Sequence, residues 1–203
     1  MAASLKLISH KLCPYVQRAV IALTEKGIPF ERIELDILKG ETRTPGFLAR
    51  NPNGRIPTLE LEDGTCLAES NAILWYLAEG TRYLPQERLA RAQVLQWMFF
   101  EQYSHEPNIA TLRFWTHAGF LAERSAFVPD KRKWGRAALD VMEAHLSDRQ
   151  FFAAERYSIA DIALYAYTHV AGEGGFDLAP YPAIRAWLAR VASQQGHVPI
   201  TRG

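Results

Sequence analysis

The first part of the chain alternates short extended segments with helical ones. Leu5–Ile8 is an apolar run too short for a helix and predicts a β-strand. A helix is predicted directly after it, from Pro14 onward, because apolar residues there recur at helical spacing. These residues are Val16, Ala19, Val20 and Leu23. Proline suits the first helical turn, where its missing N–H would have had no helical partner.

The same alternation continues to about residue 80. Phe30–Asp36 predicts a second strand, and Thr44 with Pro45 predicts the start of a short helix. Residues 56–62 and 65–68 predict a β-hairpin around Asp63-Gly64, a pair that supplies positive φ angles. A helix capped by Ser70 follows. The order β-α-β-(α)-β-β-α predicts an α/β domain over residues 1–80.

The pattern after Pro85 is helical, with no convincing strand. A long helix is predicted from Glu87 to about Phe120, bent or broken at Pro107. Further helices are predicted over residues 131–146, 159–170 and 183–192. Residues 86–203 are therefore expected to form an all-helical C-terminal domain.

A helix-capping signal stands out in this second domain. Ser158 and Asp161 form an S-x-x-D capping box, in which Asp replaces the usual Glu or Gln. Tyr157 and Ile162 are placed to form the accompanying hydrophobic staple. We expect Asp161 to be structural rather than catalytic.

Composition and charge narrow the class of protein. The chain has 203 residues, 48% of them hydrophobic, and a formal net charge of +1. Such a balance gives no electrostatic footprint for nucleic acid or an anionic membrane. Two cysteines give no disulfide framework, and the first residues lack the apolar core of a signal peptide. We expect a cytoplasmic protein.

Cys13 is the main candidate for chemistry. It precedes Pro14, at the N-cap of the first predicted helix. Unpaired N–H groups and the helix dipole favour the thiolate there, which is the nucleophilic form. Position 16 is valine, so C-x-x-C chemistry is excluded, and an external thiol must resolve any disulfide formed. Cys66 is expected to be a small apolar filler, and the six histidines show no metal-ligand spacing.

Three segments together resemble the cytosolic glutathione transferases. They are Cys13-Pro14-Tyr15, Asn51-Pro52-Asn53-Gly54-Arg55-Ile56-Pro57, and Glu69-Ser70 with Ala72-Ile73 and Tyr76-Leu77. The resemblance implies a thioredoxin-like N-terminal domain, an all-helical C-terminal domain and glutathione as co-substrate. The cysteine motif resembles the omega and related cysteine-bearing classes, whereas Gln96–Trp115 resembles bacterial transferases.

The resemblance also implies roles in binding glutathione. The bond between Ile56 and Pro57 would be cis, leaving the Ile56 backbone to pair with the cysteinyl part of glutathione. Glu69 would hold the γ-glutamyl ammonium, and Ser70 with the N–H groups behind it the γ-glutamyl carboxylate.

The sequence also offers further candidate residues for the site. Arg43 and Arg55 are candidates for the glycyl carboxylate or its surroundings. Ser9 is a second candidate for the catalytic position, because serine-type members use a hydroxyl near the end of the first strand. The electrophile pocket is expected to involve Leu12, Tyr103, Pro107 and Trp115.

The sequence is compatible with two mechanisms and one non-enzymatic function. In the first mechanism Cys13 forms a mixed disulfide with glutathione, as a thioltransferase or reductase does. In the second the site stabilises the glutathione thiolate, which attacks a carbon electrophile. The non-enzymatic alternative is a binding protein like the stringent starvation protein A family. A homodimer is expected from the resemblance.

Overall fold

A computed structural model describes residues 5–10 and 12–200 of the chain. The chain forms two compact units. One unit is the first eighty residues together with the C-terminal segment that begins at Gln195, and the other is Thr81–Gln194.

The first unit contains a four-stranded mixed sheet. Its strands are β1 (Leu5–Ser9), β2 (Phe30–Glu34), β3 (Thr58–Glu60) and β4 (Cys66–Ala68), in the order β2-β1-β3-β4. β1 pairs in parallel with β2 and antiparallel with β3, and β3 pairs antiparallel with β4. The right-handed crossover expected between parallel strands needs a helix between β1 and β2.

That helix is α1 (Pro14–Glu25), and it packs beside α3 (Ser70–Ala78). A short helix, α2 (Pro45–Leu48), begins at Thr44, whose side chain accepts from the N–H of Phe47. The core of this unit consists of fully buried apolar side chains from β1, β3, α1 and α3. They include Leu7, Ile8, Leu23, Leu59, Ile73 and Leu74. The predicted α/β domain is confirmed.

The hairpin turn differs in detail from the prediction. Gly64 has φ of 85°, but Asp63 is not among the residues with positive φ. The strands are shorter than predicted, and the loop closes through the N–H of Leu61 to the carbonyl of Thr65 and the N–H of Gly64 to the carbonyl of Leu61. A single left-handed glycine therefore suffices, because the loop is longer than a two-residue turn.

The second unit is helical. Its α-helices are α4 (Arg88–Phe100), α5 (Glu106–His117), α6 (Val128–Leu146), α7 (Ile159–Thr168) and α8 (Pro182–Ala192). The predicted break near Pro107 is confirmed, but it takes the form of a π-helical segment, Glu101–His105, between α4 and α5. Pro107 lies in the first turn of α5, directly after the π-helical segment, and the wider π-turn accommodates a residue that lacks an N–H.

Asp161 organises the start of α7. Its carboxylate is fully buried and accepts four hydrogen bonds, two on each oxygen. The donors are the N–H of Phe152 (3.1 Å), the indole N–H of Trp187 (2.9 Å), the N–H of Ser158 (2.9 Å) and the hydroxyl of Ser158 (3.0 Å). The predicted capping box is therefore present, and it also ties α7 to α8.

The C-terminal segment departs from the expected domain boundary. Residues 195–200 pack with the first unit rather than with the helical one. The Nε2 of Gln17 on α1 donates to the carbonyl of Val198 at 2.9 Å. A hydrogen bond between residues so far apart in the sequence cannot be predicted from local pattern. Among the described residues, no helix is long and apolar enough to cross a membrane.

The buried Asp161 predicts a specific pH dependence of stability. Burial raises the pKa of this carboxyl to about 6, so the folded state binds a proton more tightly than the unfolded state does. Its contribution to the free energy of unfolding should be present below about pH 4 and should fall by roughly 1–3 kcal/mol as pH rises to about 6.

Urea unfolding of the wild type and of Asp161→Asn between pH 4 and 7 measures this contribution. The difference in free energy of unfolding between the two proteins should shrink across that window. Asp148→Asn is the matched control, since Asp148 is largely exposed. If the difference in free energy of unfolding between the wild type and Asp161→Asn stays constant from pH 4 to 7, the raised pKa of Asp161 is contradicted.

Candidate functional site

Cys13 lies at the N-cap of α1, as predicted. Its backbone is extended, with φ of −87° and ψ of 115°, and its carbonyl accepts from the N–H groups of Val16 (3.0 Å) and Gln17 (3.1 Å). The residue before it, Leu12, is held at φ of 58°, which is unusual for a leucine. Cys13 is partly exposed, so a reagent can approach the thiol at the positive end of the helix.

Cys66 is also partly exposed, but its electrostatic surroundings differ from those expected at a helix N-terminus. It lies in β4, and burial together with the nearby Glu60 carboxylate raises the pKa of its thiol. A raised pKa lowers the fraction of thiolate at neutral pH, and thiolate is the reactive form. Of the two cysteines, Cys13 is the better placed nucleophile.

Arg18 connects the helix of Cys13 to the start of α3. Its guanidinium is fully buried, and Nη1 donates to the hydroxyl of Ser70 (3.0 Å) and to Oδ1 of Asn71 (3.1 Å). These bonds fix the N-terminus of α3 relative to α1. One side chain therefore ties the helix that begins after Cys13 to the start of α3.

The N-cap of α3 is Glu69 rather than Ser70. Glu69 has φ of 66°, and Ser70 is the first helical residue and is buried. The prediction that Ser70 caps the helix is wrong, because the Ser70 hydroxyl is turned to Arg18 instead. The left-handed backbone at Glu69 leaves its carboxylate exposed, where its Oε1 accepts from the Nδ2 of Asn53 at 3.4 Å.

The bond between Ile56 and Pro57 is cis, as the resemblance implied. The loop before it is organised by Asn51, which is buried. Its Nδ2 donates to the carbonyl of Arg55 (2.7 Å) and to the hydroxyl of Thr58 (3.2 Å), and its Oδ1 accepts from the N–H of Asn53 (3.1 Å). One amide side chain thus spans both sides of the cis bond.

The two candidate arginines occupy different settings. Arg43 donates from Nη1 to the carbonyl of Asn53 at 3.1 Å, and a Cβ at Gly54 would collide with its guanidinium. Gly54, with φ of 63°, therefore leaves room for Arg43 across the loop. Arg55 is exposed.

Ser9 is placed differently from a free catalytic hydroxyl. It is fully buried at the end of β1 and donates to Oε1 of Glu34 at 2.9 Å. Its oxygen accepts from the Nε of Arg32 at 3.1 Å. Because the single O–H is used by Glu34, Cys13 is favoured over Ser9 for the nucleophile.

The predicted pocket residues are spread over both units. In the first unit Leu12 is 53% exposed. In the second unit Tyr103 is 87% exposed on the π-helical segment, and Pro107 is half-buried. Trp115 is only 7% exposed and lies under the guanidinium of Arg124, at 5.2 Å from the ring centroid.

Sequence reasoning missed the residues that support the site. Arg18 lies five residues after Cys13, but nothing in the local sequence distinguishes a buried arginine from a surface one. Asn51, in contrast, precedes a proline in a turn-rich segment, and an Asn there often bonds to its own backbone two residues on. In the described part of the chain, no group of three or more His, Cys, Asp or Glu side chains could hold a metal ion.

Family models match both units of the chain. Residues 12–79 match the glutathione S-transferase N-terminal domain, and residues 97–195 match the glutathione S-transferase C-terminal domain. The first match begins next to Cys13 and includes the cis bond and Glu69.

Known proteins show the same similarity. A solved glutathione S-transferase from Pseudomonas fluorescens is 54% identical, with a TM-score of 0.94, over 97% of this chain and 98% of that one. Glutathione S-transferase F10 from Arabidopsis thaliana is 36% identical over 75% of this chain and 74% of its own. The disulfide-bond oxidoreductase YfcG from Escherichia coli is 32% identical over 89% and 87%, respectively.

Proposed function

Because this chain belongs to the glutathione S-transferase family, we propose that it is a glutathione-dependent thioltransferase or disulfide reductase that uses Cys13 as its nucleophile. The observation that carries the proposal is the partly exposed Cys13 thiol at the N-cap of α1. A thiolate attacks disulfide sulfur readily, whereas it has no proton to donate to a second thiolate.

The proposed reaction has two balanced steps. Cys13 thiolate attacks the glutathionyl sulfur of a mixed disulfide, the S–S bond breaks, and the second thiol leaves as a thiolate that takes a proton. The thiolate of a free glutathione then attacks the Cys13–glutathione disulfide. Glutathione disulfide leaves, and the Cys13 thiolate is restored. An external thiol is required because position 16 is valine.

The first unit offers matching contacts for glutathione. The Ile56 backbone next to the cis bond would pair with the cysteinyl part, and the N-terminus of α3 at Ser70 would receive the γ-glutamyl carboxylate. The exposed carboxylate of Glu69 would hold the ammonium group. Arg43 and Arg55, which are both exposed, would serve the glycyl carboxylate.

Conjugation to a carbon electrophile is the second candidate. Its support is the similarity to glutathione S-transferase F10 from Arabidopsis thaliana. The similarity to a disulfide-bond oxidoreductase supports the first candidate instead. The two differ in what they require at position 13, because disulfide exchange needs a nucleophilic sulfur and conjugation needs a hydrogen-bond donor.

A homodimer in a reducing cytoplasm would suit this activity. Along α4 and the π-helical segment, Leu89, Phe99 and Tyr103 are 64%, 68% and 87% exposed. Large apolar side chains at that exposure are typical of a surface that a partner covers. A reducing compartment would keep the Cys13 thiol available.

Cys13→Ser separates the two reactions. The wild type should reduce bis(2-hydroxyethyl) disulfide with glutathione, and the variant should lose this activity because a hydroxyl does not attack disulfide sulfur. The variant should keep or gain conjugation of chlorodinitrobenzene, because a hydroxyl can donate to the bound thiolate. Cys66→Ser is the matched control and should keep both activities. Full reductase activity in Cys13→Ser would exclude Cys13 as the nucleophile.

Glu69→Ala tests the proposed ammonium contact. Losing a charge-assisted hydrogen bond and leaving its partner unmet should weaken glutathione binding by roughly 1–3 kcal/mol. Titration calorimetry on the wild type and the variant measures the change. Glu62→Ala, another exposed glutamate of the same unit, should bind as the wild type does. Equal affinity in Glu69→Ala would mean that the γ-glutamyl group is held elsewhere.

A further inference from the structure

A small cleft lies beside Cys13, on the side of α1 that faces the C-terminal segment. Its walls include Cys13, the apolar side chains of Leu12, Val16 and Val20, and residues 198–200. Two polar side chains also line it, Gln17 from α1 and Arg32 from β2. All of these residues belong to the first unit.

Gln17 presents a hydrogen-bond acceptor that has no donor. The side chain is 4% exposed, and its Nε2 donates to the carbonyl of Val198. This bond identifies the other branch of the amide as the oxygen. Among the described residues, Oε1 of Gln17 is buried and has no hydrogen-bond partner. A buried acceptor left unmet costs free energy, so the cleft favours a ligand that carries a donor.

Arg32 adds donors without adding net charge. Its Nε lies 2.6 Å from Oε1 of Glu34 and donates to the hydroxyl of Ser9. The Glu34 carboxylate balances the guanidinium, so an uncharged polar group suits the cleft better than a second carboxylate. A hydroxyl can donate to Gln17 and also accept from Arg32.

The spacing along α1 limits the length of the ligand. Cys13 and Gln17 are four residues apart, which places their side chains on one helix face with Cβ atoms roughly 5–6 Å apart. One short ligand can therefore contact both side chains. Apolar walls suit the carbons of such a ligand.

We infer that this cleft binds the non-glutathionyl half of the disulfide substrate, and that it selects short, uncharged thiol compounds ending in a hydroxyl or another group that both donates and accepts. Gln17 is the specificity-determining residue. The inference rests on the proposed use of Cys13 as nucleophile.

A matched pair of disulfides tests this without glutathione. Bis(2-hydroxyethyl) disulfide and dipropyl disulfide differ only by a hydroxyl in place of a methyl at each end. In each reaction Cys13 thiolate attacks one sulfur, the S–S bond breaks, one thiolate leaves, and the other half stays on Cys13. Intact mass measured over time gives the rate at which each disulfide modifies Cys13. Each rate is then divided by the rate at which the same disulfide reacts with N-acetylcysteine, which corrects for its intrinsic reactivity.

The hydroxyethyl compound should react about 5-fold faster than the propyl compound after this correction, the scale of one hydrogen bond. In Gln17→Met the preference should disappear, and in Gln96→Met, which changes an exposed glutamine of α4, it should persist. Gln17→Met also removes the bond to Val198 and could loosen the C-terminal segment, but this would change the rates of both disulfides alike. The ratio of the two rates therefore reports on the Gln17 oxygen alone.

The possible failures are distinct. Equal corrected rates in the wild type, or an unchanged preference in Gln17→Met, would overturn the inference and leave the proposed function standing. The wild-type ratio decides this even where Gln17→Met does not fold. If neither disulfide modifies Cys13 but glutathione disulfide does, the inference fails and the proposed function stands. If none of the three modifies Cys13 in the folded wild type, the proposed function fails together with the inference.

Discussion

The buried guanidinium of Arg18 is the interaction on which the arrangement of the first unit depends. It joins α1, which carries Cys13 at its start, to the first residues of α3 through Ser70 and Asn71. Removing a hydrogen-bond acceptor from a buried charged group typically costs about 1.5–3 kcal/mol, because the charge stays out of water. The thiol and the start of α3 are thus held in one frame rather than on two independent helices.

Asn51 plays the corresponding part in the loop that leads to β3. It fixes the loop that carries the cis bond before Pro57, and Asn53 in that loop reaches Glu69 at the start of α3. Arg18 and Asn51 together position three features that the proposed glutathione site uses: the thiol, the Ile56 backbone and the helix N-terminus. The groups that would contact glutathione lie at the surface, and the buried polar side chains of Arg18 and Asn51 hold them in position.

Local pattern predicts most of the fold, but not the roles of its buried polar residues. Pro14 and the apolar spacing after it identify α1, and Pro107 identifies a break in the long helix. The π-helical form of that break, the left-handed backbone at Glu69 and the return of residues 195–200 to the first unit all depend on tertiary contacts. Ser70 illustrates the difference, because its sequence position predicts a cap and Arg18 takes the hydroxyl instead.

The central claim is that Cys13, and not Cys66, forms the disulfide with glutathione. Intact mass and peptide mapping after treatment of the native protein with glutathione disulfide test it most directly. The account predicts one glutathionyl group, located on Cys13 and removed by free glutathione, because Cys13 lies at a helix N-terminus and burial raises the pKa of Cys66. An adduct on Cys66 alone, or no adduct on the folded protein, would contradict it.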